Sequence, residues 1–130
     1  MRRIALVTLV VGDYDEAIRF YTEALGFRLV EDTPRPDGSR WVVVRAGADA
    51  HGTDLLLARA KGGTQSARIG DQTGGRVGFF LHTDDFARDH ARMLAAGVTF
   101  LEEPRREPYG TVAVFQDLYG NRWDLLQPAG

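Results

Sequence analysis

The chain repeats itself, and that constrains its fold more than any other feature. A helical pattern opening at Asp13 and closing at Gly26 recurs from Asp84 to Gly97, both ends displaced by 71 positions (84 − 13 and 97 − 26). Leu29 and Phe100, then Glu31 and Glu102, keep the same offset. In the first copy Tyr14, Ala17, Ile18, Tyr21 and Leu25 fall on one helical face, with Asp15, Glu16, Arg19 and Glu23 opposite. In the second, Phe86, His90, Met93 and Leu94 share a face. A repeat of this length is one supersecondary unit used twice.

The flanking pattern is extended. Ile4 to Val11 is almost wholly apolar and β-branched, which suits a strand covered on both sides. Asp13 with Glu16 three residues later has the form of a helix cap, and Gly26 stands where a left-handed C-cap belongs. Strands are predicted at Phe27–Val30, Arg40–Arg45 and Asp54–Ala58. In the second copy they fall at Arg76–His82, at Val98–Leu101, and in the hairpin whose turn is Asp117-Leu-Tyr-Gly-Asn121. Each half reads β-α-β-β-β, an α+β chain of two repeated modules within a single domain, residues 1–130. Module 1 covers about residues 1–60 and module 2 about residues 76–130. Between them, residues 61–75 hold five glycines and hardly an apolar side chain, as expected of a long connecting loop.

Composition removes several function classes. A formal net charge of −2 with no long basic run leaves no electrostatic footprint for nucleic acid. The absence of cysteine excludes disulfides, thiolate metal sites and cysteine nucleophiles. The apolar run Ile4–Val11 is too short to span a bilayer, so no membrane partner and a cytoplasmic location are expected. No G-x-S-x-G, P-loop or G-x-G-x-x-G pattern occurs, which removes the common hydrolase, nucleotide and dinucleotide readings.

The runs Leu6-Val-Thr-Leu-Val-Val-Gly-Asp13, Ala17-Ile-Arg-Phe-Tyr21, Leu25-Gly-Phe27 and Asp117-Leu-Tyr-Gly-Asn-Arg-Trp-Asp-Leu-Leu126 resemble the vicinal oxygen chelate superfamily. That group includes glyoxalase I, extradiol dioxygenases, fosfomycin-resistance transferases and bleomycin-resistance proteins. The resemblance covers nearly the whole chain. It implies paired βαβββ modules whose curved mixed sheets form an open cup, often completed across a homodimer. In metal-dependent members, ligands come from one position on the first and last strands of each module. Carried across, those positions are Leu6, Leu56, Gly78 and Asp124. Leucine offers no lone pair and glycine no side chain, and one carboxylate does not hold a divalent ion. No metal or other cofactor is therefore expected.

Strand parity indicates what such a cup would contain. If Asp124 faces inward, so do Arg122 and Leu126, while Trp123 and Leu125 pack on a helix. The same count brings in Thr8, Asp54, Phe80 and His82, and places Tyr109 at the rim. These seven residues (Thr8, Asp54, Phe80, His82, Tyr109, Arg122 and Asp124) are the expected ligand pocket, polar groups in an apolar surround that suit a small organic molecule. His82 and Asp124 are the candidates for catalysis. Against those roles stand plainer ones: a bond from His82 to a helix-start carboxylate, and an ion pair between Asp124 and Arg122. His90 is expected to pack, His51 to lie in a polar loop, and both tryptophans to be core or rim aromatics. The leading expectation is a small-molecule-binding protein whose metal site is largely lost. The alternative is a metal-dependent lyase or dioxygenase of the glyoxalase type with an atypical ligand set. Whether the chain is an enzyme stays open at this point.

Overall fold

The computed structural model describes residues 1–130, which form two compact units, Met1–Ile69 and Gly70–Gly130. Each is a helix laid on an open mixed sheet, so the chain is α+β. In the first unit, β1 (Leu6–Val11) pairs in parallel with β4 (Asp54–Arg59). Antiparallel pairing to β3 (Arg40–Arg45) and β2 (Arg28–Pro34) completes the order β1-β4-β3-β2. The second unit repeats this plan. There β5 (Val77–His82) pairs in parallel with β9 (Arg122–Pro128), followed by β8 (Gly110–Gln116) and the two-residue β6 (Thr99–Phe100). A short β7 (Arg105–Glu107) also pairs with β8.

Residue chemistry sets the helix boundaries. Asp13 caps α1 (Tyr14–Arg19) by accepting the Glu16 N–H at 2.8 Å. The helix then widens into a π-helical turn, Phe20–Ala24, in which the Leu25 N–H reaches the Phe20 carbonyl. Gly26 closes it at φ 73°, and Gly97 closes α3 (Phe86–Ala95) at φ 87°. The cap of α3 is Asp85, whose carboxylate accepts the Arg88 N–H at 3.0 Å. The stretch expected to be a bare connecting loop contains a one-turn helix, α2 (Gly62–Ser66), whose start is held by the Lys61 N–H to the Gln65 side chain at 2.8 Å. Gly70, at φ 76°, sits so close to the Tyr119 backbone that a β-carbon there would strike its carbonyl.

The two cores differ in texture. In the first unit, Leu9 and Val11, Val42 and Val44, and Leu55 and Leu57 present one sheet face to Ala17 and Tyr21, all buried. In the second, the packing is largely aromatic. Trp123 stacks on Phe79 at 4.7 Å and on Phe115 at 5.8 Å, and Phe115 meets Phe100. His90 lies between Phe86 and Phe100 at 5.3 and 4.5 Å, the packing role expected of it. Trp123 and Leu125 are buried, on the opposite side of β9 from Asp124, as strand parity requires.

Register adds one detail that parity misses. Val77 pairs with Arg122 and Phe79 with Trp123, so Gly78 is the extra residue of a β-bulge. Beyond the bulge, Phe80 faces Asp124 and His82 faces Leu126.

Candidate functional site

Within each unit, corresponding strand positions are neighbours. In the first unit Thr8, Leu56 and Val43 are neighbours across three strands; in the second the same places hold Phe80, Asp124 and Val114. Val43 and Val114 keep the 71-residue offset (114 − 43). The four positions at which the resemblance implies metal ligands thus carry a single donor side chain, Asp124. Elsewhere too, no group of three or more His, Asp or Glu side chains is placed to hold a metal ion. Gly78 cannot be refitted simply, because a β-carbon there would collide with the Thr73 methyl group. Thr73 is itself fixed by its hydroxyl, which donates to the Arg76 carbonyl at 2.6 Å. These residues do not fit the divalent ion of the metal-dependent members.

Asp124 is the most unusual polar group on the open face of the second sheet. Its Oδ1 is buried and has no hydrogen-bond partner. Burial pushes its carboxyl above the usual carboxylate range; the Arg105 guanidinium opposes this and the Glu102 carboxylate reinforces it. Phe80, directly across the ladder, is 62% exposed, a large aromatic ring left uncovered beside a half-buried acid. The ion pair with Arg122 does not form: Arg122 is exposed, and no partner reaches the Asp124 Oδ1 although the two residues share a strand face.

Around Asp124 runs a charged network that the sequence reading passed over. Arg105 donates through Nε to both Glu102 oxygens at 2.9 and 3.1 Å, and through Nη1 to Glu107 at 3.0 Å. Its Nη1 also reaches the Tyr109 hydroxyl at 3.4 Å, leaving Tyr109 half-exposed. Glu102 accepts the Val114 N–H of β8 at 2.9 Å, in the gap along β8 between its pairings with β6 and β7. The Arg105 bond holds the Glu102 carboxyl below its usual range, with the Val114 N–H adding to the effect. The dense charge of Glu102-Glu-Pro-Arg-Arg-Glu107 was the available signal.

The remaining expected pocket residues separate by unit. His82 is exposed on the second sheet and bonds to neither Asp84 nor Asp85. Those two carboxylates serve Arg88, one through its guanidinium at 3.0 Å and the other through its backbone N–H. Thr8 and Asp54 belong to the first unit. Asp54 is buried, and both of its oxygens are taken by Arg45 at 2.9 and 3.0 Å, which makes it a structural ion pair.

The first unit also holds a cleft of about 360 Å³ at the end of its sheet. Arg40 and Arg59 lie over the Tyr14 ring at 5.1 and 5.2 Å, and Arg35 lies over Trp41 at 4.5 Å. Two of these arginines flank the Pro-Asp-Gly turn next to Trp41, a clustering visible in the sequence.

The family model described as the Glyoxalase/Bleomycin resistance protein/Dioxygenase superfamily matches residues 3–125. The chain belongs to that superfamily. It is 54% identical over 125 residues to an uncharacterized protein of Shewanella frigidimarina, covering 95% of this chain and 92% of the relative. Among solved structures, UcmS2 is similar at 33% identity with a TM-score of 0.83, covering 97% of this chain and 98% of that one. TnmS3, an antibiotic binding protein from Streptomyces sp. CB03234, is 32% identical with a TM-score of 0.78, covering 99% and 98%. The vicinal oxygen chelate resemblance and the two-sheet α+β fold are therefore both upheld.

Proposed function

We propose that this superfamily member binds a small organic molecule on the open face of its second sheet, without the metal of its metal-dependent relatives. The observation that carries this reading is the buried, unpartnered Oδ1 of Asp124 next to the exposed ring of Phe80. An unsatisfied buried acceptor costs about 1–3 kcal/mol, a cost that a ligand N–H or O–H would remove. Phe80 supplies apolar area and a face for stacking, while Tyr109, held by Arg105, stands at the rim. Arg122 and His82 are exposed on the same unit and contribute polar contacts at its margin. Thr8 and Asp54 lie on the first sheet, where Asp54 is committed to Arg45. The antibiotic-binding role given for TnmS3 supports sequestration over turnover.

Within this reading the protein works as a cytoplasmic homodimer. In support, every residue of β2 is exposed, including Leu29 and Val30, an uncovered edge of the kind that second copies cover. No helix is long and apolar enough to cross a membrane.

A thermal-shift screen with glycopeptide antibiotics, catechols and glutathione adducts tests the reading. A ligand at a hundredfold excess over its dissociation constant raises stability by about 2.7 kcal/mol. The gain is expected to disappear in Asp124→Leu, which removes the acceptor oxygen, and to shrink in Phe80→Ala. Purified protein that retains stoichiometric Zn, Ni, Mn or Fe and loses it on Asp124→Ala would overturn the metal-free reading in favour of a glyoxalase-type lyase or dioxygenase.

A further inference from the structure

We infer that the first unit carries a second site, the cleft at the end of its sheet, which takes an aromatic oxyanion: a phosphate or carboxylate head group on a flat apolar body. The cleft is lined by four cationic side chains, Arg35, Arg40, Arg59 and Lys61, against one carboxylate, Asp37. The balance is more one-sided than that ratio implies. Asp37 is committed to its own turn, accepting the Ser39 hydroxyl at 2.6 Å and the Ser39 N–H at 2.9 Å. Those bonds hold its carboxyl below the usual range. Its approach to Lys61 is only 3.9 Å between two exposed groups.

Arg40 is already neutralised, by Asp32 at 2.7 Å and Asp15 at 2.9 Å. Arg35 and Arg59 are different. Neither has a carboxylate partner, and each guanidinium is instead spread over an aromatic ring, Trp41 for Arg35 and Tyr14 for Arg59. Stacking fixes the plane of a guanidinium and leaves its N–H edge free, which is the geometry that grips phosphate or carboxylate in a bidentate manner. Tyr14 is itself anchored, its hydroxyl accepting the Arg40 N–H at 3.2 Å.

The floor explains why the ligand needs a body. Leu56 and Ala58 line the cleft with Trp41, the residue before Val42 at the end of the β3–β4 ladder. An inorganic oxyanion would satisfy the arginines and leave this apolar floor wet. At about 360 Å³ the cleft falls in the size range of small-molecule sites. The site uses none of the residues assigned to ligand binding around Asp124, so the two proposals stand or fall separately.

Calorimetric titration of the full chain with phenyl phosphate, benzoate, inorganic phosphate and benzyl alcohol tests this. Phenyl phosphate or benzoate is expected to bind at least tenfold more tightly than inorganic phosphate, and benzyl alcohol not at all. Comparison of the first two identifies the head group. Affinity is expected to drop at least tenfold in Arg35→Gln/Arg59→Gln, whose exposed positions leave folding intact, and to stay unchanged in Arg88→Gln and Asp124→Asn. Failure of both aromatic anions to bind overturns the inference, as does equal binding by the double variant. Loss of binding in Asp124→Asn would also overturn it, by assigning the anion to the other unit.

Discussion

The two units share a strand plan, yet they treat a buried acid in opposite ways. In the first, Asp54 is matched oxygen for oxygen by Arg45 across two strands. In the second, the places of Arg45 and Asp54 are taken by Gln116 and Arg122, which face each other in the ladder. The acid has moved one inward-facing position along, to Asp124, where nothing answers its Oδ1. One copy spends its carboxylate on holding strands together; the other leaves it available. Duplication makes this division possible, because each copy needs only a helix, a sheet and a core, and the open face is free to diverge.

The sharpest break between the copies is expected at the turn before the last strand. Asp117 is buried, and its Oδ1 accepts the N–H groups of Tyr119, Gly120 and Asn121 at 3.0, 3.0 and 2.9 Å, while its Oδ2 takes the Asn121 amide. Asp117→Ala should destabilise by about 2–4 kcal/mol in urea unfolding. The first unit joins the matching strands by a longer, exposed loop in which Asp49 accepts only the His51 N–H among its side-chain bonds. Asp49→Ala should change stability by no more than about 0.5 kcal/mol. Equal losses in the two variants would mean that the turns are energetically alike after all.

A second pair should show sameness. Gly26 and Gly97 end the two equivalent helices at φ 73° and 87°, where a β-carbon meets no neighbour. Alanine at either site should cost about 1 kcal/mol, from backbone conformation alone, and by nearly the same amount in both. A large inequality would show that one unit unfolds separately from the other.

The smallest effect has the opposite sign. In ligand-free protein Asp124→Leu should stabilise by about 1 kcal/mol at neutral pH, because it removes an unsatisfied buried oxygen. Its pH dependence follows from the raised carboxyl. The folded state holds that proton at a pH where the unfolded chain has released it, so stability falls as pH rises through and above the ordinary carboxylate range. Asp124→Leu should flatten that slope. Glu102 runs the other way: its carboxyl is held low, so its contribution is present above the ordinary range and is lost as pH falls. Chemical denaturation of Asp124→Leu and Glu102→Gln, from below the ordinary carboxylate range up to neutral pH, separates the two contributions. No change of slope in Asp124→Leu would place the carboxyl in solvent and remove the basis for its ligand role.

Much of this plan was legible in the residues. The 71-residue offset located both helices, both C-cap glycines and the repeated strand order, because caps, helical faces and alternation are local signals. Parity also put Trp123 and Leu125 in the core and Asp124 on the other face. What local patterns could not supply was partnership. Arg45 was not foreseen as the mate of Asp54, since their pairing depends on the β3–β4 register. The Glu102–Arg105 pair is different: three residues apart, it lay within local reach, and the dense charge of residues 102–107 was its signal. The bulge at Gly78 shifted the first strand of the second unit by one residue, and no periodicity announces a single extra residue. The cleft around Tyr14 and Trp41 was missed for a related reason: its arginines come from a turn and from the far ends of strands.

That bulge also couples two positions. Any side chain introduced at position 78 runs into the Thr73 methyl, and Thr73 is tied to the Arg76 carbonyl. A coordinating residue at 78 therefore requires Thr73 to turn aside and give up its bond to the Arg76 carbonyl, so the two positions change together. A side chain added at 78 carries the cost of displacing Thr73, a cost that changes at the exposed ring of Phe80 do not meet.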